Sequence, residues 1–308
     1  MARIKVAHII TMLELGGAQG NTLFTVEHLN RNGHEVLLIC GPGGIQDAHA
    51  RQIPDLKLYF VNSMVRPVRP WKDLACLIEL VRILKAEKPD IVHTHSSKAG
   101  ILGRIAAWLA GTPVVIHSIH GFGFNPYQKY PVRKLFVFLE KWCAKISHCL
   151  IAVSRENIAE GLSLGIGTPE KYRLIRSGVD IAKIKKSAAD TDTARVRSEL
   201  KLPPSAKIVL TVGPFKKQKD PLSFVRLAAN VRAQVPETFF LMVGDGALRP
   251  QIEQLASDLK LGENLKLLGW RKDIPALMKT ADIFVLTSLW EGLPRAGVEA
   301  LIVGKPVI

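Results

Sequence analysis

The sequence predicts an α/β fold of two doubly wound domains, each a parallel sheet covered by helices on both faces. Three observations predict it. Short apolar runs alternate with amphipathic segments along nearly the whole chain, the pattern of repeated strand–helix units. The runs are almost continuously hydrophobic, as strands buried on both faces are. The alternation pauses once, between Asp180 and Ser205, and then restarts. The expected domains are therefore residues 1–180 and 181–308.

In the first domain the expected strands are 4–10, 35–40, 91–93, 114–119 and 150–153. Helical segments fill the gaps at 20–32, 71–87, 99–110 and 132–147, with apolar residues at helical spacing. The pause is rich in charge, Ala, Ser and Pro. It reads as an interdomain connection with one short helix at 193–200. The second domain then offers strands at 208–212, 239–243, 265–268 and 283–286, and helices at 222–233, 249–259 and 295–302. Residues 304–308 read as the start of a further buried strand, so this domain is expected to be incomplete.

The 308 residues carry 42 Lys and Arg against 27 Asp and Glu, a formal charge of +15. With 47% hydrophobic and 22% charged residues, the chain is globular, neither disordered nor collagen-like. Cys40, Cys76, Cys143 and Cys149 show no C-x-x-C spacing. That excludes a disulfide scaffold and a cysteine-only zinc site, and fits a reducing compartment. No stretch has the length and freedom from charge of a membrane span, and the expected location is the cytoplasm. The charge calls for an anionic partner: nucleic acid, an anionic membrane surface or a phosphorylated substrate. No nucleic-acid-binding motif accompanies it, so no nucleic-acid partner is expected.

The first expected strand leads into Leu13-Glu14-Leu15-Gly16-Gly17-Ala18-Gln19 and a helix. Gly16 and Gly17 would let backbone approach a ligand, and a helix N-terminus favours an anion. The plainer reading is a tight strand-to-helix turn. His93 and His95 share one face of an extended segment, but no carboxylate accompanies them and no metal is expected. His120 stands between a strand and the glycine-flexed Gly121-Phe122-Gly123-Phe124. There it can hydrogen-bond a polar substrate, or be an ordinary loop residue. Asp190-Thr191-Asp192 has a spacing used for divalent metal with nucleotide sugars, yet it lies in the connection and reads as solvated linker.

In the second domain Lys216, Lys217 and Lys219 crowd the loop after the strand at 208–212. Like charges this close repel unless an anion is near. A diphosphate suits; a solvated basic loop is the plainer alternative. Further on, Pro294 fits a helix start, while Arg295 opposes the helix dipole unless an anion is bound there. The amides of Gly292 and Leu293 would point out of that start. Glu291 and Glu299 would accept hydrogen bonds from hydroxyls without metal.

With these motifs in order, the chain resembles a family four glycosyltransferase of the retaining, GT-B kind. The resemblance spans essentially the whole chain. It rests on the Gly-Gly-Ala loop, His93-Thr94-His95 followed by Ala99-Gly100, His120-Gly121, Ser177-Gly178-Val179-Asp180, the lysine loop, Gly244-Asp245-Gly246, Gly269 with Asp273, and the Glu291/Glu299 pair. It implies two Rossmann-like domains facing across a cleft, the first for the acceptor and the second, incomplete, for a nucleotide sugar. It implies transfer of a sugar from a nucleotide diphosphate sugar to a glycan or lipid-linked acceptor, with no metal or other cofactor. By this resemblance His120 and Glu291 are catalytic residues at the donor sugar. Gly16, Gly17, Lys217, Lys219, Gly292, Leu293 and Glu299 bind the donor, with Lys219 on the diphosphate, Glu299 on the ribose and the two glycines on the phosphates. One departure stands out: where the family commonly has a phosphate-binding arginine, five positions before Lys219, this chain has Pro214. Lys216 or Lys217 would supply that charge. A nucleotide-sugar-binding remnant without turnover and a GT-B-type epimerase are the alternatives.

The helix at 132–147 carries Lys134, Lys141 and Lys145 on one face and Leu135, Leu139, Trp142 and Ile146 on the next. Phe122, Phe124, Tyr127, Lys129 and Tyr130 precede it. A basic stripe beside exposed aromatics reads as an element that meets an anionic membrane surface, peripheral at its inner face.

Overall fold

The computed structural model describes residues 3–124 and 128–308. It divides into two compact units, Met1–Gly178 and Val179–Ile308.

The first unit runs β1 (Lys5–Met12), α1 (Gly17–Arg31), β2 (Glu35–Gly41), α2 (Asp47–Arg51), β3 (Lys57–Phe60), α3 (Pro70–Glu87), β4 (Ile91–His95), α4 (Ser97–Ala110), β5 (Val114–Ile119), α5 (Tyr130–Lys145), β6 (Cys149–Ala152), α6 (Arg155–Ser163) and β7 (Tyr172–Leu174). Its seven strands are parallel in the order β3-β2-β1-β4-β5-β6-β7. The chain winds outward from β1 in one direction and then from β4 in the other. That reversal is the switch point where such sheets bind ligands. One apolar layer joins β1, β2 and β4 to Cys76, Leu80 and Leu84 of α3 and to Ala99, Ala106 and Ala107 of α4. The opposite layer holds Leu23 and Val26 of α1 against β2. Close approach of α4 to the sheet needs Gly100 and Gly103, since a Cβ there would lie 2.5 Å from the His117 ring and 2.8 Å from Thr94. Arg104 of α4 and Glu140 of α5 form a wholly buried ion pair, Nη2 to Oε2 2.7 Å.

The second unit runs α7 (Ile181–Ala189), α8 (Thr193–Glu199), β8 (Lys207–Val212), α9 (Pro221–Gln234), β9 (Thr238–Val243), α10 (Arg249–Asp258), β10 (Leu265–Leu267), α11 (Ile274–Thr280), β11 (Ile283–Phe284) and α12 (Arg295–Ile302). Its strands are parallel in the order β10-β9-β8-β11. Two apolar layers flank this sheet, one around Phe224 and Phe240, the other around Leu277, Met278 and Ala300.

Several expectations change here. The supposed connection is not a free linker: Val196, Leu200 and Leu202 join the second unit's core, and Ala188 is buried. Within it, Asp192 caps α8 by accepting from the amides of Ala194 and Arg195. One carboxylate of the D-x-D is thus engaged in helix capping. Val307 does pair with Phe284 beside β11, but Ile308 is exposed, so the segment is not buried as expected.

The aromatic loop also differs from expectation. Phe124 is buried and Phe122 stacks on it, rings 4.7 Å apart, both within the core cluster around Ala144 and Tyr172. Neither is an exposed anchor, because both rings pack into the apolar cluster of Ala144, Leu150 and Tyr172. Tyr127 lies outside the described residues. Exposed instead are Tyr130, Val132, Leu135 (56%) and Phe138 (65%) of α5, beside Lys134, Lys141 and Lys145.

Candidate functional site

The first unit assembles its polar side chains at the carboxyl ends of β1, β4 and β5. α1 begins at Gly17, with Gly16 as its N-cap. Gly16 is extended at φ −174°, and a Cβ there would meet only the flexible end of Gln19. Close backbone access to an anion, rather than an unusual dihedral, is what this glycine offers. At the end of β5 the chain turns through Gly121 at φ +117°, a conformation open to glycine and little else. That turn sets His120 beside His95, whose Nδ1 lies 3.2 Å from His120 Nε2. His8 and His93 are register partners on adjacent strands, and His8 Nδ1 lies 2.9 Å from His95 Nε2. His93 Nε2 meets the Ser118 hydroxyl at 2.8 Å. One nitrogen from each of His8, His93 and His95 falls within 4.8 Å of the others, a convergence the sequence did not reveal. Burial holds all three rings, and His117, well below the usual imidazole range. They are neutral at physiological pH. Just beyond, Ser96 holds a left-handed φ of +62°, a strained conformation for a non-glycine. Its hydroxyl bonds that of Thr11 at 2.9 Å.

The motif at Ser177-Gly178 closes on α1: the Gly178 amide donates to Asn21 Oδ1, and a Cβ there would strike the Phe24 ring at 2.5 Å.

In the second unit a cleft opens at the carboxyl ends of β8 and β11, lined by Gly213, Pro214, Lys219, Thr287 and Ser288 among others. Gly244 sits at φ +135° with Gly213 O where its Cβ would be, so only glycine lets these two loops touch. Lys219 is bonded to Glu291. The Thr287 hydroxyl donates to the carbonyls of Lys219 and Asp220, and the Leu289 amide to that of Gln218. The lysine loop and the 287–291 loop thus form one stitched rim. Lys216 and Lys217 are exposed beside it. Ser288 Oγ is buried without a partner among the described residues, a demand that a ligand oxygen would meet.

Gly292 and Leu293 lead from this rim into α12, whose N-cap is Pro294 rather than the first-turn position expected. Arg295 reaches Glu299 Oε1 at 3.8 Å within the same helix. Burial pushes the Glu299 carboxyl up, with Arg295 opposing, and pulls the Arg295 guanidinium down. At 3.8 Å the attraction does not offset the desolvation of either group.

Two doubly wound units, one with polar groups at its switch point and one with a lysine-rimmed cleft, define the GT-B class of nucleotide-sugar enzymes. Solved structures agree on the fold. Anabaena HepE in complex with UDP-glucose superposes with a TM-score of 0.82 at 22% identity, over 99% of this chain and 80% of that one. WaaG, a glycosyltransferase of lipopolysaccharide biosynthesis, gives 0.76 at 18%. Residues 15–183 match the model for Glycosyltransferase Family 4, and residues 192–308 that for Glycosyl transferases group 1. The UDP-Gal:α-D-GlcNAc-diphosphoundecaprenol α-1,3-galactosyltransferase of Escherichia coli is 37% identical over all of this chain and 79% of its own length. The Vi polysaccharide biosynthesis protein VipC/TviE of Salmonella typhi is 35% identical over 86% of this chain and 45% of its own. The chain belongs to glycosyltransferase family 4, and it is a sugar-transferring enzyme.

Proposed function

We propose that this chain transfers a hexose from a UDP-sugar to a lipid-linked diphosphate acceptor, with retention of configuration and without a metal ion. The observation that carries this reading is the whole-chain similarity to the E. coli enzyme, whose donor is UDP-Gal and whose acceptor is a diphosphoundecaprenol-linked GlcNAc. In this reading Lys219 and Lys217 bind the diphosphate, with the Gly292 and Leu293 amides, and Glu299 takes the ribose hydroxyls. Glu291 and His120 serve the transferred sugar, and the Gly16–Gly17 start of α1 serves the phosphates.

The acceptor's lipid brings in the membrane. Helices α3, α4 and α5 lie side by side, and all three carry exposed apolar side chains: Trp71 (84%), Leu74 and Ile78; Trp108 and Leu109; Leu135 and Phe138. Arg66, Arg69 and Lys72 flank the first group, and Lys134, Lys141 and Lys145 the last. Large apolar groups interspersed with cations on one face suit the headgroup region of an anionic bilayer. No helix among the described residues is long and apolar enough to cross one. The proposed place of action is the inner face of a membrane.

Incubation with UDP-galactose, UDP-glucose and UDP-GlcNAc in turn, with and without a GlcNAc-diphosphate-lipid acceptor, tests the reading. A lipid-linked disaccharide from one donor, formed only with acceptor, is the expected result. Free sugar released equally without acceptor would overturn it in favour of an epimerase or hydrolase.

A further inference from the structure

His8, His95 and His120 make a line of three imidazoles from the middle of the first sheet to the loop at its mouth, linked at 2.9 and 3.2 Å. His8 and His95 have no exposed surface. Burial takes the His8 ring down to about 4 and holds His95 well below its ordinary value. Both of these rings therefore carry one proton at neutral pH. A neutral imidazole donates from one nitrogen and accepts at the other. His95, bonded at both, cannot donate to both neighbours or accept from both. Its two hydrogen bonds run in the same direction, and the tautomer of His8 dictates that of His120.

The direction follows from the inner end. His8 Nε2 is buried and has no partner among the described residues. Buried N–H groups without an acceptor are rarer in proteins than acceptors without a donor. His8 therefore keeps its proton on Nδ1 and donates it to His95 Nε2. His95 in turn donates from Nδ1 to His120 Nε2.

We propose that His8 and His95 are positioning residues that hold His120 with its Nε2 occupied as an acceptor and its proton on Nδ1, so that His120 serves the sugar as a hydrogen-bond donor and not as a base. The proposal rests on the active-site role given to His120 above. A metal ion is the rival use of these rings, because His8, His93 and His95 converge. The geometry favours the hydrogen-bonded line. Two of the nitrogens already bond each other, and the cluster holds no carboxylate to offset a buried divalent charge.

Nitrogen-15 NMR of histidine-labelled protein at neutral pH reads the tautomer directly. His120 is expected as Nδ1–H in the wild type. His8→Leu, two rings away, should leave His120 as a mixture of tautomers. It should lower kcat about fivefold, the worth of one neutral hydrogen bond, with KM for the UDP-sugar moving less than about twofold. His8→Asn, whose amide can donate from the place of Nδ1, should restore both. His95→Phe keeps the ring shape without its nitrogens and gives the same comparison if His8→Leu does not fold. An unchanged His120 tautomer in both folded variants overturns the proposal. So does stoichiometric zinc in the purified protein that is lost in His8→Leu. Wild-type turnover in His120→Ala would instead overturn the active-site role of His120, a failure the tautomer measurement separates from that of the relay.

Discussion

Lys219 and Glu291 are bonded ammonium to carboxylate at the rim of the second unit's cleft. The pair fixes a long, flexible cation in one place before any ligand arrives. In the proposed reading, an entering diphosphate competes with the carboxylate for that cation and releases Glu291.

Lys219→Ala is therefore expected to weaken UDP binding by about 1.5–3 kcal/mol, the range for hydrogen bonds to charged groups, and uridine binding far less. Calorimetry with both ligands checks it; equal losses contradict a phosphate contact. A chelator is expected to leave both affinities unchanged.

Glu299→Gln should act in two opposite ways. Burial raises the Glu299 carboxyl, so the folded protein binds that proton more tightly than the unfolded chain. Stability from this group is full at acid pH and is lost as pH rises through the folded value. The variant should therefore melt higher than the wild type at pH 7 without ligand, the gap closing on acidification. Its UDP affinity should nevertheless fall. A variant with lower neutral Tm and intact affinity would sink both statements.

The buried histidines make the opposite prediction for the first unit. Their folded values lie below the ordinary imidazole value, so their contribution is full above about pH 6.5 and is lost as pH falls through the folded values. Each ring adds a slope of up to about 1.4 kcal/mol per pH unit within its window. Tm should drop steeply from pH 6.5 towards 4, and His8→Gln should drop less steeply. Identical slopes would mean that His8 stays uncharged in both states or charged in both.

Vesicle sedimentation tests the membrane face. Binding is expected to vesicles containing anionic lipid, weakening with salt, and hardly at all to neutral ones. Changing Lys134, Lys141 and Lys145 to Glu should abolish it with Tm preserved. Trp71→Glu with Phe138→Glu should weaken it independently. No sedimentation of the wild type at low salt would refute the contact.

Arg104→Met should cost about 3–5 kcal/mol, because it strands the buried Glu140 charge. Adding Glu140→Leu should recover most of that. A silent Arg104→Met would mean water reaches Glu140.

The strands buried on both faces were legible because both faces demand apolar residues, as in Val36–Cys40, all buried. β3 and β7 were not. Each is a short strand at a sheet edge, and Lys57 and Arg173 interrupt the apolar signal. α7 was hidden by Lys183, Lys185 and Lys186, with only Ala188 buried to mark its inner face. The candidate site was legible where a motif lies within one loop, as with Lys219 or His120-Gly121. It was not where the fold supplies the neighbour. His8 and His95 are 87 positions apart, and Lys219 and Glu291 72. Only the strand order brings the histidines together, and no local pattern in an apolar run such as β1 marks His8 as one end of a line.

That strand order also sets a timetable. β1 is an interior strand of the seven-stranded sheet, yet one of its two neighbours, β4, begins about fifty residues after β2 ends. At ribosomal speed the delay is roughly 3–10 seconds. Through that interval the nascent β1 exposes an open, apolar edge of the kind that recruits other chains. Yield in the cell should then depend on how quickly, and under what chaperone cover, the ribosome crosses from Gly41 to His95.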